Sequence, residues 1–288
     1  MAEARLPVAV VTGANRGIGK AIVEGLAATG RHVVLVCRRP DDGEAAARDI
    51  RGRHPQASLE VAPADLSSLS SVRELASRLL ARHPRIAILV NNAAVALKQR
   101  QESVDGIEMT LAVNHLAPFA LTLLLLPALR GGGEAPSRVV TVSSGSQHGQ
   151  KIVLDDLQNR RRRYGGVRAY GETKLMNVLF TRELARRGRP LGVAAFCLHP
   201  GVIGTNLLLD YLPLQPLLRP LFARFTGTPT KGADTAVWLA TAPGLEDQVG
   251  GFFVRRKPAR PNALANDARL AAGLWEASER LTGASWPA

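Results

Sequence analysis

Short apolar runs alternate with stretches of helical period along the whole chain. Val8–Thr12, His32–Cys37, Ile86–Val90, Arg138–Ser143 and Leu191–Leu198 are dominated by Val, Ile, Leu and Ala, with little polar alternation. That is the pattern of strands covered on both faces, as in a parallel sheet. Ser58–Ala62 and Gly250–Val254 read as two shorter strands. The 3.6-residue period predicts helices over Gly17–Thr29, Asp42–Arg53, Leu69–Arg82, Arg168–Arg187, Lys231–Ala240 and Asp267–Thr282. Further helical stretches are expected around Gly106–Val113 and Leu116–Leu129. Strand–helix alternation with short connections predicts an α/β fold, a doubly wound Rossmann-type parallel sheet with helices on both faces. No linker, repeat or low-complexity break divides residues 1–288, so they read as a single domain.

The first strand runs into Thr12-Gly13-Ala14-Asn15-Arg16-Gly17-Ile18-Gly19, which opens the first helix. Gly13 is expected to allow a tight turn, Gly17 to let backbone approach a pyrophosphate, and Gly19 to bring the helix close to the sheet. The helix N-terminus then offers free N–H groups and a positive dipole end to phosphates. A strand, a glycine turn and a helix in that order predict a dinucleotide site. The end of the second strand selects the dinucleotide. An NAD site carries an acidic residue there for the ribose 2′-hydroxyl. This chain has Cys37-Arg38-Arg39, and Arg16 lies in the turn itself. Arg16 and Arg38 suit a 2′-phosphate, so NADP(H) is expected. The competing reading is that Arg38 and Arg39 are merely solvated after a strand.

Tyr170-Gly171-Glu172-Thr173-Lys174 places a tyrosine and a lysine four apart, on one face of a predicted helix. A tyrosine hydroxyl titrates near 10 when unperturbed. A neighbouring ammonium and a positive nicotinamide would lower that value and make Tyr170 a general acid or base. Ser143-Ser144 at the end of a strand adds a hydroxyl on the carboxyl side of the sheet, where ligands of this fold bind. Either serine is a candidate.

Composition changes little in this picture. The formal net charge is +13, which invites a polyanion reading. Yet 31 of the 37 basic residues are Arg and they are spread over both halves, which looks like compositional bias. The densest run, Arg160–Arg163, has no interleaved aromatics, so no nucleic-acid partner is expected. Two cysteines, Cys37 and Cys197, cannot make a disulfide scaffold, which fits a reducing compartment. Leu116–Leu129 is too short to span a bilayer and contains Pro118 and Pro127. Only six residues, Glu3 and Arg5 among them, precede the first apolar run. A cytoplasmic protein without signal peptide or transmembrane anchor is therefore expected. His115, His148 and His199 lack metal-ligand spacing and both cysteines sit in strands, so no metal site is expected.

Taken in order, these motifs resemble the short-chain dehydrogenase/reductase family over nearly the whole chain. Thr12–Gly19 is similar to its TGxxxGxG turn. Asp65-Leu66 resembles the acidic–apolar pair that touches adenine, and Asn91-Asn92-Ala93-Ala94 resembles NNAG, with Ala94 in place of the glycine. Asn114, Ser144, Tyr170 and Lys174 match the family's catalytic tetrad. Pro200-Gly201-Val202-Ile203-Gly204-Thr205 matches PGxxxT, where the resemblance implies that Pro200, Gly201, Ile203 and Thr205 hold the nicotinamide carboxamide. The surrounding wording, Val113–Phe119, Lys174–Phe180 and Leu274–Ser278, is similar to the retinol dehydrogenase/carbonyl reductase-like branch.

The resemblance implies reversible carbonyl reduction with NADPH. Ser144 would bind the carbonyl oxygen and Tyr170 would supply the proton. Lys174 would tune Tyr170 and hold the nicotinamide ribose, and Asn114 would hold a water linking Lys174 to solvent. A cofactor-binding regulator without catalysis is the alternative, and the complete tetrad argues against it. Ser144 and Tyr170 lie 26 residues apart, longer than the common family spacing. The insertion, about 150–166, contains the Arg run, whose role stays open. It also puts the family's usual helix-bundle oligomer in doubt, leaving monomer or homodimer. Asn206–Phe225 is rich in Leu and Pro where the family places a substrate lid, about 205–230. It reads as an apolar cover for a hydrophobic carbonyl or alcohol, as packing within the protein, or as a peripheral membrane contact.

Overall fold

Eight strands form one sheet in the order β3-β2-β1-β4-β5-β6-β7-β8, in a computed structural model that describes residues 6–130, 135–201 and 227–287. They are β1 Val8–Thr12, β2 His32–Cys37, β3 Leu59–Pro63, β4 Ile88–Asn91, β5 Ser137–Val142, β6 Val193–His199, β7 Phe252–Val254 and β8 Lys257–Pro258. The first seven pair in parallel, and only β8 runs antiparallel, against β7. The nine described helical segments are α1 Gly17–Ala27, α2 Pro40–Arg53, α3 Leu69–Arg82, α4 Met109–Leu111, α5 Ala117–Leu124, α6 Leu126–Leu129, α7 Gly166–Gly188, α8 Pro229–Thr241 and α9 Ala268–Thr282.

Side chains alternate across each strand, and here both faces are covered. Val10, Val34, Val36, Leu89 and Val139 point to one core, shared with α3, α5 and α7. Val11, Val33, Leu35, Val90 and Val140 point to the other, shared with α1, α2 and α8. Every one of these valines and leucines is fully out of solvent. Double coverage is why the strands read as unbroken apolar runs.

Two expectations are refined. The helical stretches around Gly106–Val113 and Leu116–Leu129 join into one path, because a wide turn of π-helix, Ala112–Leu116, connects α4 to α5. Pro118 gives a reason. It has no N–H for the Asn114 carbonyl, and in a regular α-helix its ring would press on that same carbonyl. A widened turn before the proline relieves the clash. The second refinement is β8, a two-residue strand that carries no period of its own.

The chain crosses from one side of the sheet to the other between β1 and β4. The connections that follow these neighbouring strands leave in opposite directions, so their carboxyl ends open a crevice, the usual ligand site in this architecture. Asn92 seals its base. Its Nδ2 donates to the carbonyls of Thr12 (2.8 Å) and Gly13 (3.3 Å), while the Thr12 hydroxyl accepts from the Asn92 N–H at 3.0 Å.

The C-terminal helix α9 locks the other flank. Trp275 stacks on Phe180 of α7 and meets Phe119 edge-on. Ser278 Oγ lies 2.9 Å from Nε2 of the buried His115. Burial pushes the His115 imidazole down to about 4, so it stays neutral at physiological pH. The two cysteines are free and buried. Among the described residues no helix is long and apolar enough to cross a membrane.

Candidate active site

The glycine turn behaves as its spacing predicts at two positions and differently at a third. Gly13 and Gly17 have φ of +64° and +55°, a region that costs other residues strain. A Cβ on Gly17 would meet nothing within 4 Å, so the space beside this backbone is open to a ligand. Gly19 departs from the expectation. A Cβ there would fall 2.0 Å from the Gly13 carbonyl oxygen and 2.6 Å from Asn92 Nδ2. Its missing side chain closes the turn on itself instead of drawing the helix to the sheet.

A cleft of about 1590 Å³ runs from this turn along the carboxyl ends of the strands. Typical small-ligand pockets hold about 300–1,000 Å³, so there is room for a dinucleotide and a second small molecule. Gly13, Asn15, Arg16, Gly17, Ile18, Gly19 and Arg38 line one end, with Asp65, Leu66, Asn92 and Ala93 beyond. Ser144, Tyr170, Lys174, Pro200 and Gly201 line the other. Ile203 and Thr205 lie outside the described residues, as does most of the expected lid.

At the first end, charge is distributed unevenly. Arg39 is held by Asp42 through two hydrogen bonds. Arg16 and Arg38 are exposed on the rim and form no ion pair with a described residue. The Asp65 carboxylate accepts from the N–H and hydroxyl of Ser67, which fixes it against the wall. A turn with space beside its backbone and two unpaired guanidinium groups fits a dinucleotide that carries a further phosphate.

At the second end, α7 brings Tyr170 and Lys174 together. Lys174 is 1% exposed, and its Nζ donates to the Val142 carbonyl at 3.0 Å. The ammonium lies 5.4 Å from the centre of the Tyr170 ring. Burial lowers Lys174 to about 8, opposed in part by the neighbouring Cys197. Tyr170 and Ser144 both border the cleft, and the Ser144 hydroxyl is near enough to Tyr170 to favour its phenolate. Burial raises Tyr170 to about 12, more than Ser144 brings it down. Lys174 alone therefore does not supply the expected lowering. Lys174 sits over the ring instead of at the oxygen, so desolvation dominates.

The two serines separate. Ser143 is buried, and its hydroxyl donates to the Lys174 carbonyl at 2.7 Å. It braces α7 against β5. Ser144 lines the cleft beside Tyr170 and caps the short turn Gly145–Gln147 by accepting from the Ser146 N–H. Ser144 therefore holds the position expected of a substrate-facing hydroxyl.

Asn114 does not line the cleft. It is fully buried in the π-turn. Its Oδ1 accepts from the Val95 N–H at 2.7 Å, and its Nδ2 donates to the Val95 carbonyl and to Thr173 Oγ1. The side chain joins the loop after β4 to the turn that carries Lys174.

Several contributors escaped the sequence reading. Gly171 is one. A Cβ there would come within 2.6 Å of the Ser146 carbonyl, so its absence lets the Ser144 loop lie against α7. Val95, Met109 and Val113 give the cleft an apolar wall, and His199 borders it at the end of β6. The insertion is another. Arg162 bonds Asp156 Oδ2 at 3.0 Å and Glu172 Oε1 at 2.9 Å, both buried carboxylates. Asp156 also accepts from the backbone of Arg160 and Arg161. Tyr164 donates to Glu108, which caps α4. The Arg run is thus a clamp that ties the insertion to the back of the Tyr170–Lys174 turn. Arg168 and Glu172, four apart on α7, are a local signal of it.

The fold and the cleft define a nucleotide-binding α/β protein of the dehydrogenase type. The short chain dehydrogenase family model matches residues 7–212, and the chain belongs to that family, in its retinol dehydrogenase-like branch. It is 41% identical to human retinol dehydrogenase 12 over 279 residues, covering 97% of this chain and 87% of that protein. Among solved structures it is similar to a putative uncharacterized protein from Mycobacterium paratuberculosis, with 35% identity and a TM-score of 0.78 over 98% of this chain and 97% of that one. It is also similar to the Pseudomonas aeruginosa RhlG/NADP active-site complex, with 26% identity and a TM-score of 0.68 over 86% and 93% of the two chains.

Removing Glu172 leaves Arg162 with Asp156 alone and cuts the tie between the insertion and α7. Glu172→Ala is expected to cost about 2 kcal/mol, below the cost of breaking a fully buried pair because Arg162 is partly exposed. Urea unfolding measures it. A loss under 0.5 kcal/mol would show that the clamp does not hold the insertion.

Proposed function

We propose that the protein is an NADP(H)-dependent oxidoreductase that interconverts a carbonyl and an alcohol on a hydrophobic small molecule. The observation that carries this reading is the convergence of Ser144, Tyr170 and Lys174 on one wall of a cleft whose far rim bears two unpaired arginines. The retinol dehydrogenase relatives and the NADP-bound relative support it.

Arg16 and Arg38 would hold the 2′-phosphate, and the N–H groups at the start of α1 would hold the pyrophosphate. Lys174 would hold the nicotinamide ribose. Asp65, Leu66, Asn92 and Ala93 would serve the adenosine part. By the family resemblance, Pro200, Gly201, Ile203 and Thr205 would hold the carboxamide. When bound, NADPH supplies the hydride. Ser144 donates a hydrogen bond to the carbonyl oxygen and stabilises the charge that develops there. Tyr170 gives its proton to that oxygen and is left as phenolate, which the Lys174 ammonium stabilises. A tyrosine held protonated by burial is suited to donating in the reduction direction. Asn114 acts as a positioning residue. The apolar wall of Val95, Met109 and Val113 favours a hydrophobic substrate.

Fluorescence titration with NADPH followed by a panel of retinal, steroid, quinone and aromatic carbonyls tests the reading. The wild type is expected to oxidise NADPH with at least one of them. Tyr170→Phe should bind NADPH as tightly and turn over at least 100-fold more slowly. Retained turnover in that variant would sink the assignment, and NADPH binding without any turnover would favour a non-catalytic cofactor binder.

Arg38→Ala separates the two cofactors. Its NADPH affinity should fall about tenfold, the loss of one charge-assisted bond at an exposed site, with NADH affinity unchanged. Equal weakening of both would remove Arg38 from the 2′-phosphate.

A further inference from the structure

Three side chains converge at the end of the sheet opposite the cleft. His32 is the first residue of β2, Glu60 lies on β3, and His83 follows the last turn of α3. They stand far apart in sequence, and the pairing of β2 with β3 brings the first two together. Both imidazoles aim Nε2 at the same carboxylate oxygen. His32 Nε2 lies 3.4 Å from Glu60 Oε2, and His83 Nε2 lies 2.9 Å from it. The three ligand atoms all fall within 4.8 Å of one another.

These spacings are close to those of a coordination shell. A tetrahedral ion with bonds of about 2.0–2.1 Å separates its ligand atoms by about 3.3–3.4 Å. The His32–Glu60 separation already has that value, His83 needs to withdraw from Glu60 by about half an ångström, and the two histidine ligand atoms lie within 4.8 Å of each other. The surroundings prepare the donors as well. Ser58 Oγ lies 2.8 Å from His32 Nδ1 and can accept the Nδ1 proton when Nε2 gives its lone pair to a metal. Arg82 takes the other carboxylate oxygen, Oε1, at 2.8 Å and leaves Oε2 to the histidines. The side chains of His32, Glu60 and His83 are 22%, 20% and 12% exposed, so a hydrated ion can reach them and water can complete the shell.

We propose that His32, Glu60 and His83 form a binding site for one divalent transition-metal ion of the zinc class. Two imidazoles and one carboxylate suit Zn²⁺, Co²⁺ or Ni²⁺ and disfavour Ca²⁺ and Mg²⁺, which take oxygen ligands. The Arg82 guanidinium on the far oxygen weakens the site without blocking it. The ion would pin the starts of β2 and β3 to the end of α3. It lies at the opposite edge of the sheet from Tyr170, so its role is to hold the fold.

Titration of the tag-free full-length chain with Co²⁺ and Zn²⁺ tests this. One equivalent of Co²⁺ is expected to give the visible absorption of a tetrahedral ion. Zn²⁺ at 100 times its dissociation constant should raise Tm by about 4 °C. His32→Ala and His83→Ala should each weaken binding at least tenfold and cut the Tm rise at the same Zn²⁺ concentration to about half or less. Glu60→Gln keeps the polar contacts and should weaken it as well, which serves if a histidine variant fails to fold. No saturable binding up to millimolar metal would overturn the site and leave an ion-pair cluster in its place. Binding undiminished in both histidine variants would overturn it too.

Discussion

The burial of Lys174 is the constraint around which this site is built. A lysine ammonium with 1% exposure needs compensation at once, and the Val142 carbonyl supplies it. That bond sets the rotation of α7 against β5, and Ser143 sets its height by bonding the Lys174 carbonyl. One residue before Lys174, Thr173 receives a bond from Asn114, so the helix is also tied to the loop after β4. One turn earlier, Tyr170 is carried to the edge of the cleft. Its approach to Ser144 depends on Gly171, where any side chain would strike the backbone after Ser144. The insertion then holds the outer face of the same turn through Arg162 and Glu172. A residue whose charge is costly to bury is therefore gripped from four sides.

Much of this architecture was legible because its causes are local. The boundaries of β1, β2 and α3 agree with the apolar pattern to the residue, since doubly covered strands and a Ser-capped helix leave clear marks. The glycine turn and the Tyr–Lys pair were visible because each uses a short fixed spacing. What stayed hidden depends on partners distant in sequence. Asn114 stands out in its motif, but the partners of its amide, Val95 and Thr173, cannot be read from that motif. Ser143 and Ser144 are indistinguishable as a dipeptide, and the alternation of the strand end sends them to opposite neighbours. The His32–Glu60–His83 cluster was passed over because sequence inspection weighed His115, His148 and His199, none of which shares it.

The charge of +13 resolves into separate tasks. Arg162 answers buried carboxylates, Arg39 and Arg256 answer exposed ones, and Arg187 lies over the Trp275 ring. Arg16 and Arg38 remain on the cleft rim without ion-pair partners among the described residues. The excess is thus not one surface: some arginines answer carboxylates in place, and Arg16 and Arg38 are the ones that line the cleft rim without such a partner among the described residues.

The account holds that burial keeps Tyr170 protonated until a positive nicotinamide and Lys174 act on it together. A ¹³C-tyrosine NMR titration measures this directly, with Tyr170→Phe used to assign the signal among the three tyrosines. The free protein should show Tyr170 titrating above the ordinary value of 10, toward about 12, and NADP⁺ should move it down by one unit or more. A Tyr170 already ionised at pH 8 in the free protein, or one that NADP⁺ leaves unmoved, would contradict the account.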